Sequence, residues 1–414
     1  MANANGARRV VVTGMGVVTP IGLNVPDFWA SMQAAKCGVT ELTGFPLEDL
    51  KILIAAQIKD FDPKQRLRHF QRDKLVMHAD RYSWFAAAAA DEAVKQAGLD
   101  VPFTDPYRSA CIVGSGAGGL VTFENSYRAL FIEGKRATHP LTLLRIIGSS
   151  ASAHVGIEFG VKGPTFATCS ACSTATHAIG IARDYIRNNV VDVAIAGASE
   201  SVINYGTMKA WQALHVLSPE GCFPFAKKRN GTVLGEGAGI LVLESLEHAQ
   251  ARGAKILAEI VGYGMSSDAK DMVNPDTEGP NEAMRGALND AGLSPSDIQY
   301  LNAHGTATTI NDANETRAIK AVFGNHAKNL AISSTKSMHG HPLGAGGGIE
   351  AAACIMAMQE NWVPPTIGLD DPDPECDLDY IPNAGRKLDV TYAMSNSFAF
   401  GGLNAVLVFG PPPA

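Results

Sequence analysis

The chain has 414 residues, of which 46% are apolar and 18% charged, with a formal net charge of −7. Such a composition excludes a disordered chain and fits one large α/β body or two to three domain-sized units. The acidic balance argues against a general nucleic-acid binder, and seven cysteines, sparse and odd in number, argue against a disulfide scaffold.

The opening MANANGARRVVVTGMG passes from a small polar lead into a buried strand stopped by glycine, with no secretory leader. A cytoplasmic protein with reduced thiols is therefore expected. VPDFWASMQAAK reads as a helix, and SWFAAAAADEAVKQAGL at 83–99 as a strong helix with glycine near its C-terminal end. SACIVGSGAGG at 109–119 is a buried strand entering a glycine-rich turn. A helix over 178–189, a strand over 191–200 and a strand–turn–helix over 239–253 follow. The grammar then repeats: a strand over 256–265, a helix over 281–293, a strand over 298–309 ending in polar residues, a glycine-rich helix start over 339–356 and a closing strand over 404–410. In both parts a helix ending AGL precedes a strand and a small-residue turn, which reads either as a duplicated α/β half, with a boundary near 250–258, or as the common look of α/β units. No run approaches the ~18 apolar residues of a membrane span. The basic stretches at 64–74 and 226–229 read as wet surface or as a patch for an acidic protein partner.

Polar clusters after strands place 167–177, 302–308 and 396–404 where parallel sheets bind ligands. The first holds Cys169 and Cys172, in ATCSACSTATHAIG. A zinc site needs two further ligands, for which only a remote histidine pair is available. A thioredoxin-like redox pair belongs after the first strand of a small fold, whereas this one lies deep in a large chain. A single activated thiol at a helix start competes with a buried packing cysteine. The histidines shift that balance: NAHGTATT carries His304 after a strand, and STKSMHGHPLGAGGGIEA carries Lys336, His339 and His341 ahead of a helix. A thiol with two imidazoles and an ammonium suits acyl transfer, with His339 read as a surface or supporting group. GSGAGG at 114–119 has the outline of a nucleotide loop but no acidic ribose partner.

From VVVTGMGVVTPIG to SNSFAFGGLNAVLVF, the whole chain resembles the elongating type of β-ketoacyl-[acyl-carrier-protein] synthase, most specifically in SACSTATHAIG, GTVLGEGAG, NAHGTAT, STKSMHGHPLGA and NSFAFGG. The resemblance implies a thiolase-like α/β fold of five layers, α-β-α-β-α, with duplicated halves over 1–255 and 256–414, and a homodimer. It places the nucleophile on Cys172, the histidines that activate malonyl and promote decarboxylation on His304 and His341, and supporting groups on Lys336 and Glu350. Phe400 becomes the gate, and the backbone amides of Cys172 and Phe400 the oxyanion hole. Asp312 and Glu315 match structural acids. The implied reaction joins an acyl-cysteine to malonyl-carrier, with loss of carbon dioxide, to give a 3-oxoacyl-carrier two carbons longer. Acyl carrier protein is the implied partner, neither nucleic acid nor membrane is involved, and no metal or other cofactor is needed, since phosphopantetheine arrives on the carrier.

An intact Cys172 sets the chain apart from chain-length-factor subunits, which carry the motifs without the thiol. Histidine at both positions sets it apart from initiating synthases. No cysteine stands in the last glycine-rich block, where thiolases use one. Departures remain. Ala117 is small where a larger aliphatic residue or glycine is usual near the acyl tunnel, and is expected to admit longer chains. FAFGGLN replaces FGFGGTN, putting Ala399 at the hinge and Leu403 in place of a polar group. Ala226 and Asn230 stand where acids are frequent. Specialised long-chain, nodulation-type or polyketide-type elongation is thus an alternative to housekeeping synthesis, and a noncatalytic carrier-binding subunit an alternative of another class.

Overall fold

The computed structural model describes residues 7–67 and 77–413. Ten strands form its main sheet: β1 (Val10–Val18), β2 (Ser109–Gly114), β3 (Thr165–Phe166), β4 (Val193–Glu200), β5 (Gly237–Ser245), β6 (Ala258–Ser267), β7 (Tyr300–Asn302), β8 (Ala331–Ser333), β9 (Ala393–Ala399) and β10 (Leu403–Gly410). Six helices cover it: α1 (Arg81–Ala97), α2 (Ser150–Phe159), α3 (Thr174–Arg187), α4 (Glu278–Ala291), α5 (Thr309–Phe323) and α6 (Gly346–Glu360). The strand order is β3-β2-β4-β5-β1-β6-β10-β9-β7-β8.

That order reads the same from both edges, each strand of the first half matched by the strand five places later. The pairing senses match as well. β1–β5 and β5–β4 are antiparallel while β4–β2 and β2–β3 are parallel. β6–β10 and β10–β9 are antiparallel while β9–β7 and β7–β8 are parallel. The halves meet at β1 and β6 through two residue pairs, Val11 with Glu259 and Val12 with Ala258. Of the two readings of the repeated grammar, duplication is the one the fold carries.

Packing repeats along with topology. A methyl group on Gly14 or Gly16 of β1 would overlap the carbonyls of Ala93 and Ala89 in α1, and one on Gly262 or Gly264 of β6 would overlap those of Ala287 and Ala283 in α4. Alanine-rich helices thus lie directly on glycine-bearing strands, close-packed without side-chain interlocking. Both helices end on a left-handed glycine, Gly98 at φ 65° and Gly292 at φ 67°, which closes each AGL end.

One apolar cluster surrounds α3 and α6 between the two five-stranded halves of the sheet, and separate clusters lie under α1–α2 and under α4–α5. The layers are therefore helix, sheet, helix, sheet, helix. α6 comes closest to its neighbours at glycine: Gly348 against Gly239 of β5, and Gly347 against Thr176 of α3. Each central helix is preceded by a short 3₁₀ turn, Ala171–Ser173 or Leu343–Ala345. Each turn opens on a residue in the left-handed region, Ala171 at φ 47° and Leu343 at φ 40°.

Candidate active site

The two halves bring their strand ends to one place. Cys172 stands in the turn between β3 and α3, His304 just beyond β7, Lys336 and His341 between β8 and α6, and Phe400 in the turn joining β9 to β10. Cys172, His304, His341, Thr306, Trp211 and Phe400 line one cavity of about 200 Å³.

Local sequence explains where the sulfur sits. The Thr174 hydroxyl donates to Ala171 O at 2.7 Å and accepts from Ser170 N at 2.9 Å, holding the turn that aims Cys172. The Ser173 hydroxyl lies 2.9 Å from Ser397 O and 2.7 Å from Leu403 O, tying this turn to the β9–β10 hairpin. His341 Nε2 is 3.1 Å from Cys172 Sγ. The His304 and His341 rings stand edge to face, 5.5 Å apart at 86°. The backbone N–H of Phe400 points at the same sulfur and favours its thiolate.

Burial dominates the charge states. It pushes the Cys172 thiol up to about 12, against the pull of the Lys336 ammonium. Burial and then Lys336 hold the His304 and His341 imidazoles well below their ordinary value, so both are neutral. In this closed site the helix start does not by itself produce a thiolate. The resting pair is a thiol beside a neutral imidazole that can take its proton, an arrangement suited to covalent acyl transfer. Lys336 is buried and ion-paired with buried Glu350. The sulfur and histidine nitrogens lie within 4.8 Å of one another, a trio that also resembles a cation site. The neighbouring Lys336 ammonium opposes a divalent ion there.

Glu315 in α5 cradles the His304 turn, accepting from His304 N and Gly305 N, both at 2.8 Å, and from Asn396 Nδ2 at 3.2 Å. Asp312 accepts from Phe225 N at 2.8 Å and Ala307 N at 3.2 Å. Glu315→Gln would turn an NH₂ group toward one of two backbone donors, so unfolding measurements are expected to show a loss of roughly 1–3 kcal/mol. Burial raises the Glu315 carboxyl from 4.5 to about 7. Its contribution to stability is then fullest below pH 4.5 and fades as the pH climbs toward 7, a slope the glutamine variant should lack.

Residues 7–249 match the N-terminal and residues 257–370 the C-terminal domain of the β-ketoacyl synthases. The chain belongs to the β-ketoacyl synthase family. Among curated relatives of this synthase, Nodulation protein E of Rhizobium sp. (strain N33) is 46% identical over 97% of this chain and 99% of its own length. The 3-oxoacyl-[acyl-carrier-protein] synthase 2 of Staphylococcus aureus (strain COL) is 45% identical over 97% and 98%. Among solved structures, a chain of the ishigamide ketosynthase/chain length factor superposes with a TM-score of 0.94 at 34% identity, covering 98% of this chain and 100% of that one. A chain from a type II polyketide synthase acyl-carrier protein in complex with its ketosynthase bound to the hexaketide reaches 0.89 at 34%, with the same coverage. The protein is thus a condensing transferase of the thiolase-like fold.

Several residues sit elsewhere in this synthase than their sequence neighbourhoods imply. Ala117 is exposed and does not line the cavity at Cys172, so the chain-length argument from its small volume finds no wall within this chain. His339 is fully buried and 3.1 Å from the Thr335 hydroxyl, so it is no surface group. Ala399 ends β9 in an ordinary strand position, and the left-handed conformations of the turn fall on Gly401 and Gly402, at φ 78° and 68°. The hinge therefore keeps its glycines. Cys169 is exposed and Cys172 buried, both free thiols. His177 bonds the Ser170 hydroxyl at 2.8 Å and faces its own helix start. Within 226–229, Arg229 turns inward to Asp373 at 2.5 Å, leaving Lys227 and Lys228 outside. The stretch 64–74 lies outside the described residues from 68 onward.

Sequence reasoning missed Glu200 and Trp211. Glu200 ends β4, fully buried, and accepts from the Ser115 hydroxyl at 2.8 Å, Gly116 N at 2.8 Å and Gly344 N at 3.1 Å. Its signal was one acid closing the apolar strand VDVAIAGASE. Trp211 left none, because its partner Phe400 is nearly 190 residues away.

Proposed function

We propose that the chain is a carrier-dependent β-ketoacyl synthase that elongates a specialised acyl or polyketide chain. The observation that carries this reading is the 3.1 Å contact of His341 with the Cys172 sulfur, with neutral His304 standing beside it. In the first half-reaction Cys172 sulfur attacks a carrier thioester. Its proton passes through His341 to the departing carrier thiol, and the acyl–sulfur bond of the enzyme forms. In the second, the bond between the carboxylate and the α-carbon of malonyl-carrier breaks and carbon dioxide leaves. The electron pair moves into an enolate held by His304 and His341. The α-carbon then attacks the acyl-cysteine carbonyl, whose oxygen faces the amides of Phe400 and Cys172. The carbon–sulfur bond breaks to release a thiolate, which takes up one proton from solvent by way of His341 to restore the Cys172 thiol. Each electrophilic step uses charge stabilisation by groups already in place. Burial, and after it the Lys336 charge, keeps the imidazoles neutral, and no step calls on a resident metal or redox group.

The hydroxyls of Thr306 and Thr308, 3.1 Å apart on the cavity wall, are placed to bond the amides of a pantetheine arm. A carrier as partner agrees with the likeness to a ketosynthase in complex with its acyl-carrier protein. A homodimer agrees with the helix Leu120–Phe131, which buries none of its residues and leaves Phe123, Tyr127 and Phe131 exposed. Specialised rather than housekeeping elongation is supported by the nodulation and polyketide relatives and by Leu403, Ala226 and Asn230 at positions of usual polarity.

A panel of acyl-carrier donors of increasing length and polarity, each offered with malonyl-carrier, tests the reading. Condensation restricted to long or polyketide-like donors is the expected result. Equal use of all saturated donors would return the enzyme to general fatty-acid elongation. No condensation with any donor would leave a carrier-binding subunit.

A further inference from the structure

Two stacked aromatic rings stand in the wall of the cavity that holds Cys172. Trp211 and Phe400 both line the cavity, and they stack with centroids 5.8 Å apart and planes inclined by 25°. The backbone around Phe400 has anchors of its own. Gly401 N donates to Met272 O at 2.9 Å, Asp268 N donates to Gly402 O at 3.0 Å, and Ser173 reaches Leu403 O. Those bonds hold the turn but not the direction of the Phe400 side chain.

Trp211 reaches that ring from a fixed base. It belongs to the helix Tyr205–Ala213, which starts on an Asn204 side chain accepting from Thr207 N at 2.9 Å. The adjacent Gln212 accepts from Lys51 N at 2.9 Å. Trp211 also packs against the apolar cluster that contains Cys172, Ala399 and Leu343. A flat indole held on a helix is thus laid against a flat phenyl held on a glycine-rich turn.

We propose that Trp211 is a positioning residue that holds the Phe400 ring across the entrance and so sets how readily a bulky thioester reaches the Cys172 sulfur. The inference rests on Phe400 acting as the gate in the proposed synthase reaction. Stacking of two rings biases a closed-to-open equilibrium by roughly two- to twelvefold. A narrow electrophile passes the closed ring, whereas a wide one waits for it to open.

The test compares alkylation of Cys172 by iodoacetamide and by a pyrene-bearing maleimide, read by peptide mass spectrometry. The exposed thiols Cys37 and Cys169 serve as internal standards. Trp211→Ala should raise the bulky-to-small rate ratio at Cys172 by about five- to tenfold while the standards hold still. Trp211→Phe, which keeps a flat ring, should stay within about twofold of the parent. Trp211→Leu keeps apolar bulk without stacking and should follow alanine, which serves if the alanine variant fails to fold. An unchanged ratio in the leucine variant, or an equal rise in the phenylalanine variant, overturns the proposal. The donor panel fails separately: a parent enzyme that takes no acyl group from any carrier removes the synthase reading, while the alkylation ratio still decides the role of Trp211.

Discussion

Cys172→Ala is expected to abolish condensation, by roughly 10⁴-fold or more, while carbon dioxide is still released from malonyl-carrier. The two halves of the reaction draw on different atoms. Acyl capture needs the sulfur, whose proton goes to His341 Nε2, 3.1 Å away. Decarboxylation needs only stabilisation of an enolate, and His304, His341 and Lys336 stay in place when one sulfur is removed. Product assays beside measurement of released carbon dioxide separate the outcomes. Loss of both activities would mean that the histidines depend on the thiol for their arrangement. Retention of condensation would remove Cys172 from the mechanism.

The second large effect is expected at Glu350. Lys336 and Glu350 are each 1% exposed and paired with one another. Glu350→Gln leaves a buried ammonium without its counter-charge, and breaking a buried pair from one side costs about 3–5 kcal/mol. In the surviving fold the Lys336 charge stands uncompensated. That charge is one of the causes holding His304 and His341 far below their ordinary value. With it uncompensated, both imidazoles resist protonation further, so the acid limb of the pH–rate profile is expected to move toward lower pH. Protonated His341 cannot accept from the thiol, so this limb reports its titration. A variant as stable as the parent, with an unmoved acid limb, would show that the pair holds neither the fold nor the site.

Legibility in the sequence followed chemistry more closely than geometry. Cys172, His304, Lys336, His341 and Glu350 stand in short blocks whose residue types already call for acyl transfer, and the fold sets them around one cavity or directly behind it. The duplication showed as a repeated AGL because left-handed glycine at a helix end leaves a local trace. The glycines of β1 and β6 that seat the helices were readable only as strand interruptions, since their meaning lies in alanines some 20 to 80 residues away. Ala117 is exposed on this chain, so its place near a tunnel rests on a neighbouring motif and not on a contact within the chain. Burial of His339 removes the surface half of its reading and leaves the supporting half, because a histidine beside a catalytic-looking one carries no mark of its burial. Glu200 and Trp211 act through partners brought in by the tertiary fold, which no local pattern records.

The two turns ahead of α3 and α6 bear on where strain at Cys172 comes from. A left-handed residue before a sulfur invites the view that distortion is stored for chemistry. The fold says otherwise, because Leu343 repeats the conformation of Ala171 at the matching place in the other half. The residue after it is Gly344, not cysteine. Its N–H bonds Glu200, and a side chain there would strike Gly116. One ancestral-looking corner thus became a reactive site and its twin a buttress for a carboxylate. The asymmetry of the enzyme is chemical, laid on a scaffold whose two corners bend alike.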